Sequence, residues 1–189
     1  MNQISKVFLA CACSLSGLTT QAQDQTVWSN DFSNASQPLN TVGRGVCRVN
    51  DGVFHSRSAY ALFGNPGWKD YTLSFKARAP KDAEQVQIWA GFRTHNRFDR
   101  YVVGIKGGLQ DDLYLMRTGY MGTDEFMGVR PLGFHPVPGE WYKVKVEVCG
   151  NRIRVFVNDE KLPPIDLEDK NSNLATPGEE ALGGGWIDP

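Results

Sequence analysis

The chain has 189 residues, a formal net charge of −1 and 41% hydrophobic residues, the balance of one globular domain. No basic run is present to neutralise phosphates, which argues against nucleic acid as the main partner. Glycine and proline number 20 and 10; because either residue supplies the backbone angles of tight turns cheaply, the expectation is a β-rich chain with many turns.

Residues 1–22 have the layout of a secretory leader. Lys6 supplies the positive start, VFLACACSLSGL the apolar run, and Thr20-Gln21-Ala22 the small residues of a cleavage site. The run is shorter than the roughly 20 apolar residues that a spanning helix needs, and Cys11 after Phe-Leu-Ala makes a poor lipidation box. Export to the periplasm or the medium is therefore expected, with a mature domain over residues 23–189, and no later segment is apolar enough to span a bilayer. Leader removal leaves Cys47 and Cys149. The two either close one disulfide, worth about 4 kcal/mol in the chain-entropy account, or stand as separate buried thiols. No CxxC or HxxxH spacing accompanies them, so a metal site is not expected.

VWSNDFSN opens the mature chain as a strand, followed by a loop over residues 35–43. GVCRV and VFHSRS flank Asn50-Asp51-Gly52, a hairpin turn, and the short AYALF ends at Gly64-Asn65-Pro66-Gly67. DYTLSFKARA alternates cleanly, with Tyr71, Leu73, Phe75 and Ala77 inward and charged or hydroxyl side chains outward. QIWAGFRTHNRFDRYVVGIKGG reads as two strands joined across THNRFD, and DLYLMRT as a third. Residues 119–140 read as one long glycine- and proline-rich loop, and loops of that length are often functional. WYKVKVEVC, Gly150-Asn151 and RIRVFVN form the clearest hairpin, and Pro163-Pro164 confines KLPPIDL to a sheet edge. With about ten short strands and no helical period, the expected fold is all-β, a two-sheet antiparallel sandwich.

The outward sides of the strands are of two kinds. On residues 70–78 and 142–148 they carry Asp, Lys, Arg, Glu, Ser and Thr, a solvated surface. On 87–93 and 100–106 they carry Gln87, Trp89, Arg93, Arg100 and Lys106, with Tyr114 joining from the next strand and His95 and Asn96 at the turn. An indole beside hydrogen-bonding cations suits a sugar: the ring stacks on the C–H face while polar groups read the hydroxyls. Arginines at positions 93 and 100 also suit a carboxylated or sulfated sugar. Trp89, Arg93, His95, Arg100 and Tyr114 are the candidate binding residues; the competing reading packs Trp89 under the 119–140 segment as plain core cover. Trp68 is a second candidate platform on the same terms.

YTLSFKARAP, GFRTHNRFDRYVVGI and GEWYKVKVEVCGNRIRVFVND together resemble concanavalin-A-like lectin/glucanase domains of jelly-roll, laminin-G-like type, in particular the bacterial modules grouped with 3-keto-disaccharide hydrolases. Phe92-Arg93, Tyr101 and Trp141 to Asp159 carry the likeness, which extends over roughly residues 27–188. It implies a carbohydrate-binding module attached to a secreted glycoside hydrolase, with an oligo- or polysaccharide and a neighbouring catalytic domain as partners. Domains of this kind finish on a strand that returns beside the first; the chain stops at GGGWIDP, so an unpaired edge on VWSNDF is expected, unless 182–188 is itself that strand.

Retaining glycosidases need two carboxylates about 5 Å apart, and no E-x-D-x-x-E is present. No G-x-S-x-G elbow occurs, and His55, His95 and His135 are scattered. Calcium at Asp124 and Glu125 is a weak expectation without the spacing of a dedicated loop; no other cofactor is expected. Non-catalytic binding is the first reading. A hydrolase working through loop carboxylates such as Asp112 or Asp124 is the second, and a spacer docking a neighbouring domain is the third.

Overall fold

The computed structural model of the chain describes residues 2–11, 25–34, 40–65, 67–96, 98–119, 124–170 and 179–183. Among them the period-two segments all become strands: β1 (Asn2–Cys11), β2 (Gln25–Asn30), β3 (Asn40–Asn50), β4 (Val53–Phe63), β5 (Tyr71–Arg78), β6 (Gln87–Thr94), β7 (Arg100–Lys106), β8 (Asp112–Thr118), β9 (Glu125–Pro131), β10 (Tyr142–Cys149), β11 (Arg152–Val157), β12 (Ile165–Glu168) and β13 (Glu179–Gly183). The ladders run in the order β12-β11-β10-β5-β1-β4-β13-β6-β7-β8-β9, with β2 alongside β1 and β3 alongside β4.

This path folds into two antiparallel layers with one core between them. Leu73, Phe75 and Ala77 of β5, Val144, Val146 and Val148 of β10, and Ile153 and Val155 of β11 pack against Ile88, Ala90 and Phe92 of β6, Val103 and Ile105 of β7, and Leu113 and Leu115 of β8. The alternation therefore does what burial on one face demands: a slip of one residue in β5 would turn Leu73 and Phe75 to water. The architecture is the all-β sandwich expected from the sequence.

Turn chemistry fixes the hairpins. Asp51 and Gly52, with φ of 51° and 68°, close β3–β4 as a two-residue loop between Asn50 and Val53, the geometry that right-handed strand twist favours. Gly150 at φ 54° does the same between Cys149 and Arg152. VFHSRS and AYALF, read separately, are one strand, β4, which bends at Ser58 with φ 52°.

Three expectations are corrected. The 119–140 segment contains strand β9, whose residues pair with β8 from Arg117↔Glu125 to Asp112↔Pro131, with a register shift at Leu115/Met116. A Cβ at Gly128 would meet Ile165 Cγ2 of the opposite layer at ordinary contact distance, 3.4 Å, so the position suits a strand; the segment's glycines and prolines hid that strand from a reading by composition. The first mature strand has one edge covered, because β2 pairs with β1 from Val7↔Asn30 to Cys11↔Gln25, and β1 rather than a closing C-terminal strand takes that place. Cys47 is a free, half-buried thiol, whereas Cys149 is disulfide-bonded, so these two do not pair.

Residues 2–11, part of the segment that reads as a leader, thus hold a place in the sheet between β5 and β2, with Ile4 in the core at 1% exposure. Residues 12–22 lie outside those described. A chain beginning at Gln23 is expected to melt at a lower temperature than the full chain and to associate as concentration rises. The cause is that β5 and β2 each expose a row of unpaired backbone groups; calorimetry and sedimentation velocity check both effects.

Asp169 ties the layers together at one end. Just after β12, and 6% exposed, it accepts a hydrogen bond from the Tyr101 hydroxyl at 2.9 Å and an ion pair from Arg117 Nη1 at 3.0 Å. Arg117 also pairs with Glu125 of β9. Asp169→Ala leaves a hydroxyl and a guanidinium short of an acceptor, and is expected to cost about 1–3 kcal/mol, read as a lower urea midpoint.

Candidate functional site

The layer β4-β13-β6-β7-β8-β9 has a second face, turned away from the core. One row of directly paired residues crosses it: Tyr60↔Gly183, Gly183↔Trp89, Trp89↔Gly104, Gly104↔Tyr114 and Tyr114↔Val129. Aromatic side chains alternate with glycines. Neighbouring strands lie roughly 4.8 Å apart, less than an aromatic side chain needs to lie down, so a ring must spread over the next strand. Gly104 permits it, because a Cβ there would be 2.3 Å from the Tyr114 hydroxyl oxygen and 2.4 Å from its Cζ.

Along this row the rings touch. Tyr60 and Trp89 meet edge to face at 5.9 Å between centroids, and Tyr114 meets Phe126 of β9 in the same manner at 6.1 Å. Val102, Tyr114 and Met116 form a small buried cluster with Trp89 packed against it, separate from the main core. Burial pushes the Tyr114 phenol above its ordinary pKa, for want of water to solvate the phenolate. At the far side Phe126 and Val129 remain exposed, at 58% and 41%. This face is apolar, unlike that of β5 and β10, where Lys143, Lys145 and Glu147 form surface ion pairs.

The five candidate residues part company. Trp89 is half-buried and central to the row, and Tyr114 stands in it two strands away. Arg100 lies over both neighbouring rings, with its Cζ 4.7 Å from the Tyr60 centroid and 5.3 Å from that of Trp89. Arg93 does not share this face. Its φ of 47° breaks the alternation, and its fully buried side chain donates from Nη2 to the Lys69 carbonyl at 2.8 Å and pairs with Asp70 at 3.6 Å. His95 is exposed at the β6–β7 turn, where its N–H donates to the Asp99 carbonyl at 3.0 Å. It lies six residues along from Trp89, on the order of 20 Å at a strand's rise.

Tyr60, Phe126, Val102 and Met116 belong to the face and were not legible as site residues. Tyr60 reaches Trp89 only because β13 inserts between β4 and β6, and Phe126 sits on a strand that read as loop. The available signal was the glycine opposite each ring, Gly104 and Gly183. Trp68 packs against the core as cover, with a Cβ at Gly64 falling 2.5 Å from its ring.

Beyond Val129 the face continues into an open depression of about 720 Å³ lined by Gln110, Asp111, Asp112, Pro131 and Phe134. Asp111 pairs with His135 at 2.9 Å, Asp124 accepts from the Gly119 N–H at 3.2 Å and Glu125 is held by Arg117. Each of these loop carboxylates is engaged in holding its own segment.

No sequence-family model and no curated protein matches the chain. Among solved structures it is similar to the carbohydrate-binding module CBM66 from Bacillus subtilis, at a TM-score of 0.49 and 12% identity, covering 79% of this chain and 89% of that one. It is also similar to a GH43_12 retrieved from a capybara gut metagenome, at a TM-score of 0.54 and 11% identity over 83% of this chain; the chain spans 35% of that protein. The second likeness, at 11% identity, shows the fold alone, an all-β jelly-roll sandwich.

Gly104→Ala is expected to lift the Tyr114 ring off β7 while leaving the main core in place. The outcome is a changed near-ultraviolet circular dichroism spectrum and a loss of about 1–3 kcal/mol on denaturation, the usual cost of forcing an extra methyl into a packed site.

Proposed function

We propose that the chain is an exported, non-catalytic carbohydrate-binding module that holds a sugar against the aromatic face of β6–β9. The single observation that carries this reading is the ring–glycine row from Tyr60 to Val129, ending in an open depression. A pyranose presents an apolar C–H face and a rim of hydroxyls. The half-buried indole of Trp89 suits the first and Arg100 beside it the second. The exposed ring of Phe126, and the Gln110–Asp112 end of the depression on the order of 20 Å along the strands from Arg100, suit further sugars of a longer chain. The names of the two structural neighbours, a carbohydrate-binding module and a GH43 protein, agree with it. A neighbouring catalytic domain is the natural partner for such a module.

Export rests on the leader-like pattern of residues 1–22 and on nothing in the fold. No described helix is long and apolar enough to cross a membrane. Cleavage after Ala22 would withdraw β1, leaving the β2 and β5 edges for another strand to cover; N-terminal sequencing of the protein recovered outside the cytoplasm checks the cleavage.

On an array of neutral and charged polysaccharides the full chain is expected to bind at least one class. Trp89→Ala weakens that binding by tenfold or more, about 1.4 kcal/mol, while the melting temperature falls by less than about 5 °C. Absence of any binding, with Trp89→Ala strongly destabilised beside a neighbouring domain, would instead support a docking face.

A further inference from the structure

Several cations of the sandwich stand in ion pairs among the described residues. Arg93 pairs with Asp70, Arg117 with Glu125 and Asp169, Arg152 with Asp166, Arg154 with Glu147, and Lys143 with Asp159. Arg100 is half-buried and belongs to none of these pairs. Among the described residues no carboxylate forms an ion pair with it, and its Nε and Nη1 are buried without a hydrogen-bond acceptor. What holds it is the pair of rings beneath, Tyr60 and Trp89.

A desolvated guanidinium with dry donors is expensive, and contact with two ring faces offsets only part of that cost. An exposed arginine would take its acceptors from water; this one is laid down over a buried tyrosine, where water has little access. Its position is set by the fold. Arg100 starts β7 on the same side as Val102 and Gly104, and the neighbouring position on β6, opposite Val102, is Gly91. No side chain there blocks its path toward Trp89 and Tyr60. The cation thus lies beside the indole that the binding reading makes the sugar platform.

We propose that this face selects an acidic glycan, one whose sugar carries a carboxylate or a sulfate, and that Arg100 is its specificity-determining residue. The inference rests on the binding reading above and adds the ligand's charge to it. A sugar ring stacked at Trp89 brings a ring substituent to the guanidinium, and an oxyanion there accepts paired hydrogen bonds from the fork once the side chain swings off the rings that cover its Nε and Nη1. A neutral hydroxyl fills one acceptor position without answering the charge. Carboxylate and sulfate share this chemistry. Attraction by overall charge plays no part, since the chain's formal net charge is −1.

The test compares polymers of one backbone with and without the charge: polygalacturonate against its methyl ester, and dextran sulfate against dextran. Titration calorimetry on the full chain at 150 mM salt, where surface fields are screened within about 8 Å, is expected to give at least tenfold tighter binding to the charged member of one pair. The pair that responds identifies the acid group. R100Q is expected to reduce that ratio to within twofold, while R130Q, on exposed Arg130 of the edge strand, leaves it unchanged. R100K, which keeps the charge and loses the fork, falls between.

Equal affinity for charged and neutral members, a preference that survives R100Q, or an equal loss in R130Q each overturns the inference. Of these, Trp89-dependent binding without charge preference leaves the carbohydrate reading standing, whereas no binding to any polymer here or on the array removes both. A circular dichroism melt of R100Q within a few degrees of the parent excludes a folding artefact, and R100K serves in its place should that variant unfold.

Discussion

Everything proposed for this molecule depends on a spacing constraint. Strands in a sheet are roughly 4.8 Å apart, and an aromatic side chain lying flat on the sheet surface covers more than one of them. A row of such rings is possible only if alternate strands offer no side chain, and the pairing of Tyr60, Gly183, Trp89, Gly104 and Tyr114 supplies that alternation. The consequence is a shallow face of rings with the Arg100 guanidinium laid over two of them. Tyr114 is held by the absence of a Cβ at Gly104 as much as by the presence of Phe126.

The same layer shows how one backbone angle redistributes function. Arg93 and Arg100 look equivalent in the sequence, each an arginine on one of two paired strands beside a tryptophan. With φ at 47°, Arg93 leaves the alternation and becomes an internal strut, holding the Lys69 carbonyl and Asp70 at the start of β5. Arg100 keeps the alternation and stays on the aromatic face, where its Nε and Nη1 meet no acceptor among the described residues. Burial of the first arginine is a matter of stability, because a carbonyl and a carboxylate answer it. The second is half-buried against the Tyr60 and Trp89 rings, and this places its charge on the aromatic face.

The first and last described strands both pair with β4, in a way that composition conceals. Residues 2–11 have the pattern of an export leader and also the pattern of a buried strand, since a short apolar run is common to both. In the fold they fill the place between β5 and β2, and β13 fills the place between β4 and β6. The Asp169 tie closes the opposite end through Tyr101, Arg117 and Glu125, coupling β12 of one layer to β7, β8 and β9 of the other. Apart from Arg117–Glu125, these links join segments far apart in the chain, which is why they were not visible as a local signal.

Local pattern was enough to determine the strands with clean alternation, such as β5, β10 and β11, the Asp51-Gly52 and Gly150-Asn151 turns, and the oddity of Trp89 on an outward face. These depend on side-chain period and on residues that tolerate positive φ, both of which are written in neighbouring residues. Tertiary structure alone decided that β9 is a strand, that Cys47 stands free, that Arg93 turns inward, and that Tyr60 and Phe126 join Trp89 and Tyr114. The physical reason is that cross-strand neighbours are set by hydrogen-bond register between distant segments, and a residue's facing by the backbone angle at that one position. Neither quantity is carried by the alternation of apolar and polar residues along a single strand.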